Sequence, residues 1–317
     1  MNVMIVGTGV VGLIHGWAFK EAGSQVTHLV RSANLEHATQ SFTLDVYDLR
    51  PHHPQEQTVT YRPEVVLKEE LGAITNIDIA MFPTKHYQLL DALRDVTENI
   101  HCDPTYLLFC ANWDGLNNIE TLLPKDQFVL GYSMASGGYD DSHDTFVLNI
   151  KDSFRVGKHD GVDEKRLEQV LALFESAGFS ADFKDNMLHW LWVHHAINGG
   201  TIGSFIYYGG LQESMNDPRF KNDFVNATRE AIEVLKARGV DTDAFSDVQF
   251  FVGNSVDDVF DSYMNAFVNT KTGQRVLAHG HFDYAPDEMR RYLMDVVRSA
   301  EKLAVNTPIL NKYASAL

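Results

Sequence analysis

Cysteine is scarce in this chain. Only Cys102 and Cys110 occur among 317 residues, without a CxxC pattern or a zinc-like Cys/His spacing. Two isolated thiols exclude a fold held together by disulfides and a zinc site built on cysteine pairs. We expect both thiols to be reduced and buried, as is usual in a cytoplasmic protein. His279 and His281 lack a third ligand in the sequence, so we predict no metal site.

Positive charge and long apolar runs are also missing. Lysine and arginine total 26 against 43 acidic residues, which gives a net charge of −17 and a pI of about 5.1. Such acidity disfavours nucleic acid and anionic membrane surfaces as partners. No apolar run reaches the roughly 18 residues of a membrane span, and the N-terminus lacks the basic region of a signal peptide. We therefore predict a cytoplasmic protein that binds neither nucleic acid nor membranes.

Short apolar runs alternate with helical periodicity in the first half of the chain. Met1–Val6 and Val26–Val30 are long enough for buried strands, and Val10–Ala22 between them has helical spacing. Together they have the size of one β-α-β crossover unit. Further apolar runs lie at Ile77–Phe82, Tyr106–Cys110 and Phe128–Tyr132. This alternation predicts a parallel sheet covered by helices on both faces.

The pattern changes near residue 180. Before it, residues 43–62 are predicted to be irregular or short edge strands, and residues 145–156 to be a strand pair. After it, helical periodicities dominate at Asn186–Asn198, Asp217–Ala237, Ser255–Asn269 and Pro286–Leu303. We predict an α/β Rossmann-type dinucleotide-binding domain over residues 1–180, followed by a mostly α-helical C-terminal domain over residues 181–317. The second domain is expected to bind substrate or to form a dimer.

The segment Gly7-Thr8-Gly9-Val10-Val11-Gly12 follows the first predicted strand and matches the GxGxxG pattern. In this context Gly7 permits the tight turn, Gly9 leaves room for a pyrophosphate, and Gly12 lets the helix pack close to the strand. The N–H groups and the positive dipole end of the helix attract phosphate. We therefore predict that these six residues bind a dinucleotide.

Arg31 follows the second predicted strand, where NAD-preferring sites usually carry an acidic residue for the ribose 2′-hydroxyl. A carboxylate there repels a 2′-phosphate, whereas a guanidinium binds it with two parallel hydrogen bonds. Ser32 and Asn34 offer further donors. The sequence thus predicts NADP(H) rather than NAD(H). The alternative for Arg31 is a solvated surface side chain.

Several segments along nearly the whole chain resemble the ketopantoate reductases, the NADPH-dependent 2-dehydropantoate 2-reductase family. The GTGVVG segment with Arg31 is similar to the cofactor fingerprint of that family. The other similar segments are Pro83–Gln88, Asn112–Leu116 with two residues inserted, Glu230–Gly239, Val296–Ala300 and Asn306–Pro308. The resemblance implies the fold, NADP(H), a 2-oxo acid substrate and a place in pantothenate biosynthesis. It also places Lys85 and Asn112 beside the cofactor.

The helix that opens the second domain departs from the family. There the resemblance calls for a lysine and two asparagines at i, i+4 and i+8, on one face of the helix. Trp190, His194 and Asn198 occupy these positions here. The family's lysine protonates the new alkoxide, but an indole N–H cannot deliver a proton at neutral pH. The family's proton donor is therefore absent from its usual position.

Carbonyl reduction needs a hydride, a proton donor and a polar group near the carbonyl oxygen. His194 is the first candidate proton donor, because histidine titrates near neutrality; the alternative is a histidine packed in a domain contact. Lys85 is the second candidate, to bind a substrate carboxylate or polarise the carbonyl. Asn112 and Asn198 are expected to orient substrate or cofactor amides. Glu288 would bind a substrate hydroxyl or orient a cation, or else is a solvated helix-start carboxylate.

Three functions are consistent with these residues. The first is an NADPH-dependent reductase of a small 2-oxo acid, and the second a dehydrogenase of another hydroxy- or amino-acid derivative. The third is a catalytically impaired NADP-binding protein that senses or regulates. Trp190 favours the third, whereas Lys85, Asn198 and the complete glycine-rich turn favour the first two. The sequence leaves the substrate and a homodimer open.

Overall fold

The computed structural model describes residues 1–140, 142–279 and 286–317. The chain divides into two compact units, the first formed chiefly by Met1–Leu188 and the second beginning at His189. The predicted boundary near residue 180 falls at the start of a strand that belongs to the first unit. Within the described ranges, no helix is long and apolar enough to cross a membrane.

The first unit contains the β-strands. In chain order they are β1 (Asn2–Val6), β2 (Gln25–Val30), β3 (Phe42–Asp48), β4 (Glu56–Tyr61), β5 (Glu64–Leu67), β6 (Ile79–Phe82), β7 (Thr105–Phe109), β8 (Phe128–Tyr132), β9 (Ser136–Tyr139), β10 (Thr145–Ile150), β11 (Ser153–Gly157) and β12 (Ser180–Lys184). Strands β6 and β7 are buried at every residue. Continuous burial is typical of parallel strands covered on both faces.

The larger sheet has the strand order β12-β11-β8-β7-β6-β1-β2-β5. Its neighbouring strands are parallel, except that β11 runs antiparallel to β8. From β5 to β8 the order corresponds to the 3-2-1-4-5-6 order of Rossmann sheets, with the switch point between β1 and β6. The predicted α/β domain of Rossmann type is confirmed.

A second, smaller sheet has the order β4-β3-β10-β9. Residues 43–62, predicted to be irregular or short edge strands, form most of an antiparallel hairpin of β3 and β4. Residues 145–156 do form two strands, but β10 joins β3 in the smaller sheet whereas β11 belongs to the larger one. The hairpin was hidden because β4 is an edge strand that exposes every second residue, so its composition is polar.

The helices complete the fold. They are α1 (Val10–Glu21), α2 (Leu35–Ala38), α3 (Leu89–Thr97), α4 (Asn117–Glu120), α5 (Glu164–Ser176), α6 (Met187–Tyr207), α7 (Leu211–Asn216), α8 (Phe220–Ala237), α9 (Ser246–Gly253), α10 (Val256–Val268), α11 (Lys271–His279), α12 (Pro286–Leu303) and α13 (Pro308–Ala314). Leu13 and Phe19 of α1 share one core with Ile5 of the larger sheet and with Leu44 and Phe146 of the smaller sheet. Helix α1 is therefore fixed by both sheets.

The second unit is helical, as predicted. Helix α6 continues beyond the predicted end at Asn198, through two glycines that weaken a helix pattern in the sequence. A Cβ on Gly200 would overlap the backbone of Thr228 in α8, and one on Gly199 would lie 2.9 Å from Val296 in α12. These glycines are therefore required by close helix packing.

Two segments that resemble the ketopantoate reductases meet in the second unit. The carboxylate of Glu230 on α8 accepts hydrogen bonds of about 3.0 Å from the backbone N–H groups of Ile309 and Leu310. It thereby caps the start of α13, where Pro308 occupies the first helical position. Glu230 and the Thr-Pro segment are thus held together by these hydrogen bonds.

Candidate functional site

The predicted cofactor residues of the first unit follow four adjacent parallel strands. Gly7 follows β1, Arg31 follows β2, Lys85 lies just after β6, and Asn112 just after β7. Because these strands are parallel, their carboxyl ends share one edge of the sheet, and the switch point lies between β1 and β6. In open α/β sheets, ligands bind outside this edge at the switch point.

The geometry of the glycine-rich turn agrees with the role expected of each glycine. Gly7 has a φ of +96°, which favours glycine, and its N–H donates to the carbonyl of Leu29 at 2.8 Å. A Cβ on Gly12 would lie 2.8 Å from the carbonyl oxygen of Gly7, so this position needs glycine for helix packing. A Cβ on Gly9 would meet nothing within 4 Å, so the fold itself does not need glycine there.

Among the residues that the structure describes, no side chain caps the start of α1. Gly9 is the N-cap residue, and the first turn, which includes Val10 and Val11, holds no acidic residue. The first helical backbone bond runs from the N–H of Leu13 to the carbonyl of Gly9. The N–H groups before Leu13 are the donors that an anion satisfies at a helix N-terminus. The turn therefore fits the phosphates of a dinucleotide.

Two cations and one hydroxyl lie along the same edge without protein partners among the described residues. Arg31 is exposed and begins a short turn over Ser32–Asn34, while Lys85 is half-buried. Neither forms an ion pair within the part of the chain that the structure describes. The Oγ1 atom of Thr84, next to Lys85, is buried and likewise lacks a hydrogen-bond partner there. An orphaned hydroxyl is expected where a bound ligand completes the hydrogen bonding.

Asn112 has a local structural role. Its amide nitrogen donates to the carbonyl of Gly115 at 3.0 Å, and its amide oxygen accepts from the N–H of Gly115 at 3.2 Å. Gly115 has a φ of +86°, which favours glycine. The side chain therefore builds the turn after β7, and its predicted contact with a cofactor stays a prediction.

A buried histidine of β2 also contacts the glycine-rich turn, and the sequence had not singled it out. His28 is fully buried, with Nδ1 2.9 Å from the carbonyl oxygen of Gly7 and Nε2 2.9 Å from the hydroxyl of Tyr61. Desolvation lowers the pKa of His28 to about 4, so the imidazole is neutral. The available sequence signal was a polar residue inside an otherwise apolar strand.

The second unit brings together three residues of the predicted helix face. Asn198 Nδ2 lies 3.0 Å from Nε2 of His194, and the rings of His194 and Trp190 stack with centroids 5.2 Å apart. Trp190 is buried, whereas His194 and Asn198 are partly exposed. The i, i+4, i+8 spacing thus places one apolar residue and two polar residues in direct contact on α6.

The other predicted residues of the second unit have separate surroundings. His195, next to His194, is fully buried and packs on Tyr292, with Nε2 3.5 Å from the carboxylate of Asp295. Glu288 lies in the first turn of α12 with a half-buried side chain. Its place agrees with the helix-start position that the sequence predicted, and its role stays a prediction.

No group of three or more metal-ligating side chains occurs among the residues that the structure describes. His279 ends α11, and His281 lies outside the described residues.

Relatives of this chain include two bacterial or archaeal proteins. The uncharacterized oxidoreductase YkpB of Bacillus subtilis is 24% identical over 56% of this chain, and the match spans about half of YkpB's own length, 54%. The 2-dehydropantoate 2-reductase of Pyrococcus abyssi is 22% identical over 74% of this chain and 72% of its own length.

Solved structures share the fold over nearly the whole chain. A D-mandelate dehydrogenase with NADH and anilino(oxo)acetate has a TM-score of 0.75 at 17% identity, covering 99% of this chain and 96% of that one. A dimeric ketopantoate reductase from Staphylococcus aureus has a TM-score of 0.64 at 17% identity, covering 99% and 97%. The model of the ketopantoate reductase PanE/ApbA family matches residues 3–161. The chain therefore belongs to the ketopantoate reductase PanE/ApbA family.

Proposed function

We propose that this protein is an NADPH-dependent reductase of a small 2-oxo acid, built on the ketopantoate reductase plan. The main support is that the glycine-rich turn, Arg31 and Lys85 follow adjacent parallel strands at the switch point of the sheet. Within the described ranges, the start of α1 has no side-chain cap and the space beside Gly9 is open, and both observations support a dinucleotide there. The combination of a phosphate site with two cations that form no ion pair among the described residues favours an anionic cofactor and substrate.

The preference for NADPH over NADH rests on Arg31. Its guanidinium is exposed, and within the described part of the chain it has no acidic partner that would compete for it. A 2′-phosphate offers two oxygens that match the guanidinium fork. The large net negative charge of −17 makes such a local cation more necessary, because the rest of the chain repels an anionic cofactor.

The chemistry divides among a few side chains. When bound, the nicotinamide ring supplies the hydride. Lys85 binds the carboxylate of the oxo acid or polarises its carbonyl, since an ammonium stabilises negative charge that develops on the oxygen. His194 gives the proton that the new alkoxide needs. Asn198 holds the imidazole, and Glu288 is a candidate for a substrate hydroxyl.

Because His194 contacts Asn198, the Asn198 amide must hydrogen-bond to the imidazole both before and after His194 gives up its proton. With the Asn198 amide nitrogen as donor, Nε2 of His194 accepts, and a neutral imidazole carries its proton on Nδ1. A protonated His194 has two donors, so the Asn198 amide must then turn its oxygen toward Nε2. By rotating, the Asn198 amide remains hydrogen-bonded to His194 in both protonation states of the imidazole. A lysine at the family's position needs no such rotation.

The substrate is proposed as a 2-oxo acid other than, or in addition to, ketopantoate. Trp190 replaces the family's lysine and packs on His194, which makes this part of the helix more apolar. The D-mandelate dehydrogenase of the same fold was solved with anilino(oxo)acetate, an oxo acid that carries an aromatic ring. This supports including aromatic oxo acids among the test substrates. We also propose a homodimer, supported by the dimeric Staphylococcus aureus enzyme, and sedimentation would test it.

A second candidate function is an impaired, NADP-binding regulatory protein, and Trp190 is the observation that favours it. Trp190→Lys distinguishes the two, with Trp190→Phe as a control that keeps an aromatic side chain. If ketopantoate reduction rises with Trp190→Lys alone, loss of the family's lysine has impaired the protein. Under the proposed function the rate does not rise, because His194 already supplies the proton.

A further inference from the structure

The glycine-rich turn is tied to β2 through both polar groups of Gly7. Its N–H donates to the carbonyl of Leu29 at 2.8 Å, and its carbonyl oxygen lies 2.9 Å from Nδ1 of His28. A carbonyl can only accept, so Nδ1 of His28 must carry the proton. Neighbouring residues of one strand thus fix Gly7 at both its donor and its acceptor.

Tyr61 of the smaller sheet hydrogen-bonds the other ring nitrogen of His28. Its hydroxyl lies 2.9 Å from Nε2, which is the acceptor once Nδ1 bears the proton, so the hydroxyl donates. Both side chains are almost fully buried. A line of hydrogen bonds therefore runs from β4 through His28 to the turn after β1.

Helix α1 leaves space for this pair. A Cβ on Gly16 would lie 2.5 Å from Nε2 of His28 and 2.7 Å from the hydroxyl of Tyr61. Gly16 is a glycine because any larger side chain would displace the two hydrogen-bonded groups. The sequence thus provides three separate elements, α1, β2 and β4, that fit around one imidazole.

The consequence for the turn follows from peptide geometry. In a planar trans peptide the C=O of Gly7 and the N–H of Thr8 point in opposite directions. Gly7 is conformationally permissive, so this peptide is able to rotate unless something holds it. By holding the carbonyl of Gly7 toward β2, His28 keeps the N–H of Thr8 directed away from β2.

We propose that His28 is a positioning residue for the cofactor, which locks the Gly7–Thr8 peptide in the orientation that presents the turn's N–H groups to the dinucleotide phosphates. Tyr61 hydrogen-bonds the other nitrogen of the imidazole and so helps to hold the ring in place. The inference rests on the proposed function, since it takes the turn to be a dinucleotide site. It adds a residue outside the GxGxxG segment to the phosphate site.

Two substitutions separate the role of each imidazole nitrogen. In His28→Asn the amide nitrogen lies as many bonds from the backbone as Nδ1, so the bond to Gly7 is retained. In His28→Gln the amide oxygen takes the place of Nε2 instead, so the acceptor for the Tyr61 hydroxyl is retained and the bond to Gly7 is lost. The measurement is the dissociation constant of NADPH, from protein fluorescence at a temperature where every variant is folded.

We expect the dissociation constant of NADPH for His28→Asn to lie within about twofold of the wild-type value. For His28→Gln we expect it to be about tenfold higher, because this variant loses a hydrogen bond that orients N–H donors toward a charged phosphate. Val26→Ala on the same strand is the control, because Val26 is buried in the same core. It should lower thermal stability without weakening NADPH binding. Tyr61→Phe, which keeps the ring, should weaken binding by a few fold.

Equal NADPH binding by the wild type and His28→Gln would overturn the inference and leave the proposed function intact. Equal weakening by His28→Gln, His28→Asn and Val26→Ala would also overturn it, because the effect would then be general destabilisation. A wild-type protein that binds no NADPH would instead overturn the proposed function, and the inference with it.

Discussion

Trp190 and His194 stack on one another on α6, at the positions where the resemblance to the ketopantoate reductases calls for a lysine and an asparagine. Under the proposed function, an apolar ring stands where the resemblance calls for an ammonium, and the group that transfers the proton lies one helical turn further along α6. His194 keeps a polar neighbour in Asn198, 3.0 Å from Nε2. Under the proposed function, His194 performs the proton transfer for which the resemblance calls for a lysine.

Replacing His194 tests this reassignment. We expect His194→Ala to lower kcat for the best 2-oxo acid about 100-fold, as for loss of a general acid. The dissociation constant of NADPH should change little, because His194 is proposed to act on the substrate rather than to bind the cofactor. His189→Ala on the same helix is the control and should leave kcat within a few fold. An unchanged kcat for His194→Ala would exclude His194 as the proton donor.

Under the proposed function, Arg31 selects NADPH over NADH. Arg31→Ala should raise KM for NADPH about 10- to 100-fold, the effect of losing charge-assisted hydrogen bonds to the 2′-phosphate. The KM for NADH should change much less, since NADH has a hydroxyl there. Arg94→Ala, which removes an exposed arginine on α3, controls for the change in net charge. Equal effects of Arg31→Ala on both cofactors would show that Arg31 is only a surface residue.

Among the elements, those with a strong periodic signal were predicted closely. Residues 128–132 and 286–303 form the strand and the helix that the sequence indicated, and the helix after the glycine-rich turn begins at Val10 as expected. Their patterns are set by burial on one face or on both faces, which composition reveals directly. The Rossmann order then follows from the strand-helix alternation.

Other elements depend on contacts that a local pattern does not contain. Strand β12 was missed because Ser180–Lys184 is a mostly exposed edge strand, and its pairing with β11 decides its conformation. Helix α6 was ended too early because Gly199 and Gly200 resemble a helix end, although they serve the packing of α6 on α8 and α12. His28 was missed because its role depends on Gly7 and Tyr61, which are distant in sequence.

Substitutions in the glycine-rich turn separate its effect on stability from its proposed role in cofactor binding. Gly9→Ala should leave thermal stability nearly unchanged, because its Cβ would meet nothing within 4 Å and Gly9 has a φ of −75°, which alanine adopts readily. NADPH binding should weaken about tenfold or more, since the methyl group occupies space that the pyrophosphate needs.

Gly12→Ala is the matched comparison in the same turn. Its Cβ would lie 2.8 Å from the carbonyl oxygen of Gly7, so α1 must move away from β1. We expect it to lower both thermal stability and NADPH binding, measured by thermal unfolding and by fluorescence titration. Normal binding by Gly9→Ala would contradict a phosphate at this position.

For the whole molecule, two buried histidines of the first unit make stability depend on pH. Burial lowers the pKa of His15 to about 3 and that of His28 to about 4, with Arg50 and Lys20 contributing respectively. In the unfolded chain both return to about 6.5. Below that pH the unfolded state binds more protons, so the free energy of unfolding falls as pH decreases.

The expected loss begins near pH 6.5 and continues to about pH 4 for His28 and about pH 3 for His15. The pKa shift of each histidine lowers the free energy of unfolding at acidic pH by several kcal/mol at most, on the order of 3 kcal/mol for His28. Urea unfolding between pH 7 and pH 5 measures the slope. His15→Phe, which keeps an aromatic ring among Phe19, Phe109 and Phe174, removes one titrating group and should flatten that slope. A slope equal to that of the wild type would contradict a neutral, buried His15.

We propose that the molecule as a whole is an NADPH-dependent reductase. The most direct measurement follows NADPH absorbance with purified protein and a panel of 2-oxo acids that includes ketopantoate and an aromatic oxo acid. We expect at least one oxo acid of the panel to be reduced, and NADPH to be oxidised faster than NADH under the same conditions. Tight NADPH binding without turnover of any member would contradict the reductase and favour the regulatory alternative.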